Sequence, residues 1–564
     1  MTTTAARPSA AAHTPQPRSK LMDYLTTTDH KKIGVMYLYF SFFAFLVGGV
    51  LALLVRSQLA QADGAVFTDP DTYNQLFTMH ATAMLFFFII PIWAGFGNYI
   101  VPLQIGALDM AFPRINALSF WLLPAAFITV FAGYLTGGGP AEAGWTEYPT
   151  ITTGHYAGAN GHGTDLWIVG ILLVGISSTL GAINFLVTVF KMRAPGMTMF
   201  RMPLFTWNIV VTSMLTALAL PVLTSALIML FIDRNYGGSF YDPALGGNAV
   251  LYQNLFWFYS HPAVYIMILP AFGLVSEVLP VFSRKPLFGY KAFVMATAGI
   301  GALGFSVWAH HMFTTGAVLL PFFMFMTALI AVPTGVKFFN WIATLFHGKL
   351  TFETPMLWCL GFMSMFLIGG INGMFAAQVP IDYHIHDSYW IVAHIHYVLF
   401  GGSVFGVYAA FYFWFPKITG RFLDEKIGKI QFWMTFVGFN VAFFPMHILG
   451  VAGMPRRIAS YTADPQWELL NQISTVGAFF IGVSTLPFIY NVILSMRSGK
   501  PASADPWKAN SLEWATSSPP PVHNFDSLPP IRSERPVFDA RIEREAQARL
   551  AAGPSPSGPA GAHA

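Results

Sequence analysis

Charge and cysteine are what this chain has least of. Only 10% of its 564 residues are charged and 55% are hydrophobic, whereas soluble domains carry about a quarter charged. That scarcity excludes an ordinary soluble globular protein and points to a bilayer one. A single cysteine, Cys359, excludes a disulfide scaffold and any cysteine-based metal cluster within the chain, and reads as a small buried apolar residue. Short alternating segments, the mark of a membrane β-barrel, are missing too. Residues 1–22 are polar and rich in Ala, Pro and Thr, without the apolar core of a cleavable signal, and read as a disordered cytoplasmic tail. No internal symmetry suggests a transporter built from repeated halves. No nucleic-acid partner is expected.

What the chain does have is apolar runs of roughly twenty residues, the length a hydrocarbon core demands of a helix. Twelve are read, at roughly 33–56, 73–101, 117–136, 163–191, 205–233, 250–281, 291–313, 318–346, 355–378, 388–415, 428–452 and 472–496. The predicted fold is therefore all-α: an integral membrane bundle of twelve helices filling residues 23–497. Residues 498–564 turn to Pro, Ala, Ser and charge and read as a soluble tail with one short charged helix near 540–551. Lys and Arg gather on the N-terminal side of the membrane, including Lys31, Lys32, Arg114, Lys191, Arg193, Lys417 and Lys429; the other side holds only Arg56, Arg234, Arg456 and Arg457. Both termini are therefore placed in the cytoplasm. Two positions break the pattern: the Arg456–Arg457 pair on the side that avoids positive charge, and Lys337, alone well inside a span. The bilayer makes such charges expensive, so both invite a functional reading.

Six histidines fall inside predicted spans: His80, His261, His310, His311, His394 and His396. Counting from the span ends places His80, His261 and His394 roughly 10–18 Å below the outer face at 1.5 Å per residue, and His310 and His311 near the outer end of their span, so that within the error of the span boundaries all six share one layer in the outer half of the bilayer. His394 and His396 are about 200° apart around a helix and point to opposite sides, so one helix can serve two centres. His261, His310 and His311 form a set of neutral imidazoles suited to copper or another borderline metal. A centre facing His394 leaves His80 to pair with His396 on a six-coordinate iron; a mono-His iron keeps a position open for a gas ligand. Tyr265 lies one turn from His261 on the same face, where a phenol could supply a proton and an electron. The competing reading is a metal-free transporter whose histidines line a substrate path.

Several long motifs settle on one resemblance: GFGNYIVPLQIGALDMAFPRIN (95–116), HPAVY (261–265), WAHHMFTTG (308–316), IAVPTGVK (330–337), HDSYWIVAHIHY (386–397) and GMPRR (453–457). Together they resemble the haem–copper oxygen reductase superfamily, in its subunit I of the A-type cytochrome c oxidases, over nearly the whole chain. The resemblance implies two haems, of A type, and one copper ion. His80 and His396 would be axial to a low-spin haem and His394 proximal to a high-spin one. His261, His310 and His311 would hold the copper, with Tyr265 covalently joined to His261. Arg456 and Arg457 would bind haem propionates and Arg56 would lie near a haem formyl group. Trp121 and Trp257 are read as packing residues bordering the cofactors, Trp257 against copper or a haem edge. Asp382, His386 and Asp387 match the region of a magnesium site completed by subunit II, a donor set that suits that ion.

The resemblance also implies two proton routes from the cytoplasm. Lys337 would serve one, with Thr334 and Thr327 on roughly the same side of its helix. Asp109 would open the other, with Asn98 and Asn116 just beyond it. One departure stands out: where most well-known members carry Glu, this chain has Ala263, in the run Tyr259-Ser260-His261-Pro262-Ala263. This resembles the YSHP subgroup, in which Tyr259 and Ser260 replace the missing carboxylate. The expected function is the catalytic subunit of a terminal respiratory oxidase in a bacterial-type cytoplasmic membrane. It would reduce O2 with electrons from cytochrome c, coupled to proton translocation, beside a subunit II carrying a copper centre or cytochrome c domain and a subunit III. A quinol oxidase is the nearest alternative, and a nitric oxide reductase is disfavoured by Tyr265, Lys337 and Asp109.

Overall fold

The computed structural model describes residues 19–153 and 161–551. Twelve helices are long and apolar enough to cross a membrane. We label them α1 (His30–Gln58), α2 (Pro70–Ile105), α3 (Pro113–Leu135), α4 (His162–Lys191), α5 (Leu204–Asn235), α6 (Ala249–Ser283), α7 (Tyr290–Thr315), α8 (Leu320–Leu345), α9 (Thr354–Ala376), α10 (Tyr389–Thr419), α11 (Glu425–Val451) and α12 (Pro465–Ser498). Each matches one expected span. Side-chain caps explain several starts: Asp29 accepts from the Lys31 amide, Asp69 from Asp71 and Thr72, and Asn248 from Val250. Asp464 caps α12 through the Gln466 and Trp467 amides, so this helix begins seven residues before the apolar run. Its polar first turn hides the start from hydropathy. Gly106 and Gly420 close α2 and α10 in the left-handed conformation, at φ 72° and 73°.

Three spans carry 78%, 83% and 78% of their apolar windows inside the protein: α2, α6 and α10. These central helices bear four of the six histidines. Helices α8 and α12, at 17% and 28%, lie at the rim. Neighbouring spans approach closely where side chains vanish: a Cβ on Gly34 of α1 would lie 2.8 Å from the Gly95 carbonyl oxygen of α2.

The ligand-bearing spans are not uniform α-helices. A π segment, Ala83–Ile89, follows His80 in α2, and another, Leu399–Val404, follows His396 in α10. Such bulges are frequent at functional sites because the inserted residue rotates everything beyond it. Against expectation, His310 and His311 sit in a 3₁₀ segment, Trp308–Thr315, beyond the α-helical end at Gly304. The expected single helix of α8 is two, Leu320–Leu329 and Ala331–Leu345. Pro333 accounts for the step, since its ring clashes with the carbonyl four residues back, at Leu329.

Residues 1–18 of the expected N-terminal tail lie outside the described residues; Lys20–Leu25 form a short helix. Beyond α12 the chain is irregular to Arg535, apart from a 3₁₀ turn at Leu512–Ala515, and then helical over Pro536–Ala551. It is not free in solvent: Trp507, Leu512, Trp514 and Ile531 are buried. Lys417 Nζ, itself buried, donates to the carbonyls of Thr516 at 2.7 Å, Ala504 at 3.0 Å and Ser517 at 3.2 Å. The expected soluble tail is in part ion-paired, with Arg541 on Asp505 at 2.9 Å and Arg532 on Glu543. Composition hid this, because the segment packs on the Lys- and Arg-rich end of the bundle through isolated aromatics rather than an apolar run.

Candidate metal centre

The six imidazoles come together in three groups, and for His80, His394 and His396 a hydrogen bond at Nδ1 settles which nitrogen is free. On α2, His80 Nδ1 lies 2.8 Å from the Gly48 carbonyl; on α10, His396 Nδ1 lies 2.7 Å from that of Val392. A carbonyl only accepts, so both Nδ1 atoms carry the hydrogen and both Nε2 lone pairs are free. The two rings face each other with centroids 6.5 Å apart and planes 8° from parallel. Two metal–nitrogen bonds of about 2 Å, plus the offset of each ring, span about this distance. Phe443 stacks on His396 at 4.1 Å.

His394, on the other side of α10, donates Nδ1–H to Asn372 Oδ1 at 2.7 Å and to the Gly369 carbonyl at 3.0 Å. Asn372 Nδ2 in turn donates to His447 Nε2 at 2.7 Å. Asn372 and His447 were not singled out from the sequence; an Asn and a His in apolar runs carry no signal until the neighbouring helix is known.

The remaining three, His261, His310 and His311, form the one group of three metal-type side chains among the described residues whose ligand atoms converge, all within 4.8 Å. His310 Nε2 and His311 Nε2 are 3.0 Å apart, and His261 Nδ1 is 3.4 Å from His311 Nε2. Unprotonated nitrogens this close repel one another unless a cation or proton lies between them. His310 Nδ1 is held at 3.0 Å by Thr327 Oγ1. Trp257 stacks on His311 at 3.8 Å and donates its indole N–H to the Tyr148 hydroxyl. Tyr265 lies with its ring 4.7 Å from that of His261, whose Nε2 is buried without a partner. A copper ion fits this donor set.

Three arginines were expected beside the cofactors. Arg56 Nη2 donates to the Asn471 carbonyl at 2.8 Å and Thr475 at 3.1 Å, while its buried Nε and Nη1 have no partner. Buried guanidinium N–H groups call for an acceptor, as a haem formyl group would be. Arg456 pairs with Asp387. Burial, with Arg456 beside it, pushes the Arg457 guanidinium down to about 10; added anions such as propionates suit that pair. Trp121 does not join the centre: it lies 38% exposed on the outward side of α3, edge-on to Phe120. Its aromatic character alone does not place it.

In the loop before α10, His386 is flanked by two carboxylates, Asp382 Oδ2 at 3.2 Å from Nδ1 and Asp387 Oδ2 at 3.7 Å from Nε2. They approach different nitrogens, so the three groups do not converge on one point. Burial opposes the charge on both sides of this pair, yet the Asp382 and Asp387 carboxylates push His386 up and Arg456 holds Asp387 down.

The proton-route residues separate into two groups. Lys337 is buried, donates to Thr297 Oγ1, and lies 5.4 Å from the Phe272 ring centroid and 5.7 Å from that of Phe293. Thr297, on α7, was missed because one Thr in an apolar run has no signal of its own. Thr327 and Thr334 turn their hydroxyls to their own helix at Phe323 and Ile330, and only Thr327 reaches a ligand histidine. In the other group Asp109 is partly buried, which raises its carboxyl although it accepts from the Met110 amide. Asn98 Oδ1 and Asn116 Nδ2 are buried without protein partners, as is Ser260 Oγ beside the buried Tyr259.

Comparison with known proteins agrees with this geometry. Residues 32–480 match the family described as cytochrome c and quinol oxidase polypeptide I. The chain is 53% identical over 549 residues to cytochrome c oxidase subunit 1 of Corynebacterium efficiens, covering 96% of this chain and 94% of that protein. It is 54% identical over 535 residues to the subunit 1 of Corynebacterium glutamicum, covering 94% and 91%. A solved structure of a haem–copper terminal oxidase dimer superposes with a TM-score of 0.68 at 17% identity, over 86% of this chain and 85% of that one; it supports the fold.

Proposed function

Because the chain belongs to the cytochrome c and quinol oxidase polypeptide I family and is a multi-pass membrane protein, the catalytic subunit of a terminal oxidase, we propose that it reduces O2 to water with electrons from cytochrome c and couples this to proton movement. The convergence of His261, His310 and His311 within 4.8 Å carries this reading. When bound, two haems of A type and one copper ion supply electron transfer and the site of oxygen reduction.

The protein's own residues do the rest. His80 and His396 present opposed Nε2 lone pairs and would together hold one haem iron; His394 presents one and would hold the other. Their Nδ1 hydrogens are committed to oxygen acceptors, which fixes each ring and raises its basicity. Arg56 offers N–H groups to a formyl oxygen, and Arg456 and Arg457 neutralise propionates. Tyr265 holds a phenolic proton next to His261. Thr297 and Lys337 carry protons toward it from one route, and Asp109, Asn98 and Asn116 from the other. Tyr259 and Ser260 take the place of the carboxylate that Ala263 lacks, the YSHP pattern. Of the outer acidic group, His386 and Asp387 are the magnesium ligands and Asp382 orients His386 through Nδ1.

With both termini in the cytoplasm, protons and electrons reach the centre from opposite sides, so charge crosses a bacterial cytoplasmic membrane at about 2.3 kcal/mol per 100 mV. A subunit II bearing a copper centre or cytochrome c domain, and a subunit III, complete the complex. Metal and haem analysis of the purified complex tests the cofactors. His311→Ala should abolish O2 consumption while keeping the low-spin haem spectrum; retained turnover would overturn the copper assignment.

A further inference from the structure

The irregular segment after α12 lies beyond residue 480, where the family match ends, yet it reaches the loop that carries Asp109. Its Asn524 is fully buried in a tight turn at φ 69°, with its amide on the Pro521 carbonyl at 3.0 Å. Asparagine is among the few non-glycine residues that adopt this conformation readily.

The side chain of Asn524 joins three parts of the fold. Lys31 Nζ donates to its Oδ1 at 2.8 Å, which fixes the amide's orientation because an ammonium has no lone pair. Its Nδ2 therefore faces the Ala107 carbonyl at 2.8 Å and the Leu108 carbonyl at 3.2 Å, the two residues just before Asp109. The same Nδ2 lies 3.0 Å from His30 Nε2. His30 Nδ1 donates to the Asn98 backbone carbonyl at 2.7 Å, so a neutral His30 accepts at Nε2. One amide thus ties the start of α1, the backbone at Asn98 and the Asp109 loop to the C-terminal segment. The segment is itself pinned to α10 by the Lys417 ammonium on three carbonyls.

We propose that Asn524 is a positioning residue for proton uptake, holding the 106–110 loop so that Asp109 stands at a fixed place relative to Asn98. The inference rests on the reading of Asp109 as an uptake residue. It assigns the C-terminal segment a part in the reaction: a wall of the proton inlet built after the last span. Asn524 touches no reacting atom and acts through the loop alone.

The test uses the whole purified complex in sealed vesicles, with cytochrome c as donor. Asn524→Gly keeps the left-handed turn and removes the amide. Asn524→Asp also tolerates the turn and keeps the acceptor for Lys31, but lacks the N–H groups that hold Ala107 and Leu108. Both should lower kcat per haem by about tenfold, within the hundredfold that a 1 Å misplacement can cost, with KM for cytochrome c and the haem spectra unchanged. The rate of proton uptake should fall in parallel, since each electron that reduces O2 to water still consumes one proton. Placing Asn524→Gly in an Asp109→Asn background should add nothing, since both act on one inlet. Wild-type kcat in Asn524→Gly, rescue by Asn524→Asp, or an undiminished effect in the Asp109→Asn background would each overturn the proposal. If Asp109→Asn alone leaves uptake unchanged, the uptake role of Asp109 fails, and this inference with it; if Asp109→Asn slows uptake and Asn524→Gly does not, only the inference fails.

Discussion

Replacing Asn372 by Leu probes the tie between His394 and the rest of the bundle. The amide oxygen of Asn372 accepts from His394 Nδ1 at 2.7 Å, shorter than the 3.0 Å bond to Gly369 that would remain. Its loss leaves one longer acceptor and strands His447 Nε2, whose other nitrogen already lies on the Phe444 carbonyl at 3.2 Å. A buried acceptor left unpaired costs about 1–3 kcal/mol of stability. The electronic effect is separate. A weaker bond at Nδ1–H makes Nε2 a poorer donor, which disfavours the ferric state and raises the potential of the iron it holds. If about 1 kcal/mol of the lost bond is specific to the oxidised form, the potential rises by about 40 mV. Loss of such an outer partner typically costs 10–100-fold in affinity or activity. Spectroelectrochemical titration of the purified complex separates the two haems. The high-spin component should move upward while the low-spin one stays, since His80 and His396 lean on Gly48 and Val392 instead. An unmoved high-spin potential at full turnover, or equal shifts of both haems, would refute the reasoning.

Other perturbations test other parts. Thr297→Val and Lys337→Met should both slow reduction of the oxygen site and leave its oxidation near normal, read by stopped-flow absorbance; Thr297→Val removes the hydroxyl that Lys337 contacts. Tyr259→Phe should lower proton delivery through the Asp109 route, measured as protons moved per electron in vesicles, with cofactor content unchanged. Burial raises the Glu147 carboxyl to about 8 and leaves its Oε1 unpartnered. The folded state thus prefers the neutral acid, and its ionisation costs stability progressively as pH rises from about 4.5 towards 8, on the order of a few kcal/mol. Glu147→Gln should flatten that alkaline loss in thermal unfolding followed from pH 5 to 9, and a profile identical to the wild type would count against it.

Much of the fold was legible because the bilayer forces it. Every span must satisfy its backbone internally, so twelve apolar runs meant twelve helices, and each was found. Positions hidden from sequence are those where the helix stops being regular: the 3₁₀ turn that carries His310 and His311, the step before Pro333, and the π segments after His80 and His396. Periodicity assumes 3.6 residues per turn throughout, and these departures break that assumption where the ligands sit. The histidines themselves were legible because six imidazoles at one depth are hard to explain by packing. Trp121 was misplaced because an aromatic side chain fits a cofactor edge and a lipid-facing surface equally well.

The histidines' outer partners follow a different rule. Of the three imidazoles proposed to hold haem, two are fixed by backbone carbonyls alone, and the third by a carbonyl and Asn372. A backbone acceptor leaves no trace in sequence, since Gly48, Val392 and Gly369 would offer the same carbonyl with another side chain. What sequence does constrain there is space: a Cβ on Gly48 would lie 3.0 Å from the Met84 methyl carbon, and one on Gly369 would lie 2.7 Å from a Val398 methyl. Such glycines let one helix press against another closely enough for its carbonyl to reach a ring. His80 and His394 are therefore specified twice, by histidine identity and by a glycine on the facing helix, and only the first is visible before the helices are packed; His396 leans on Val392 of its own helix.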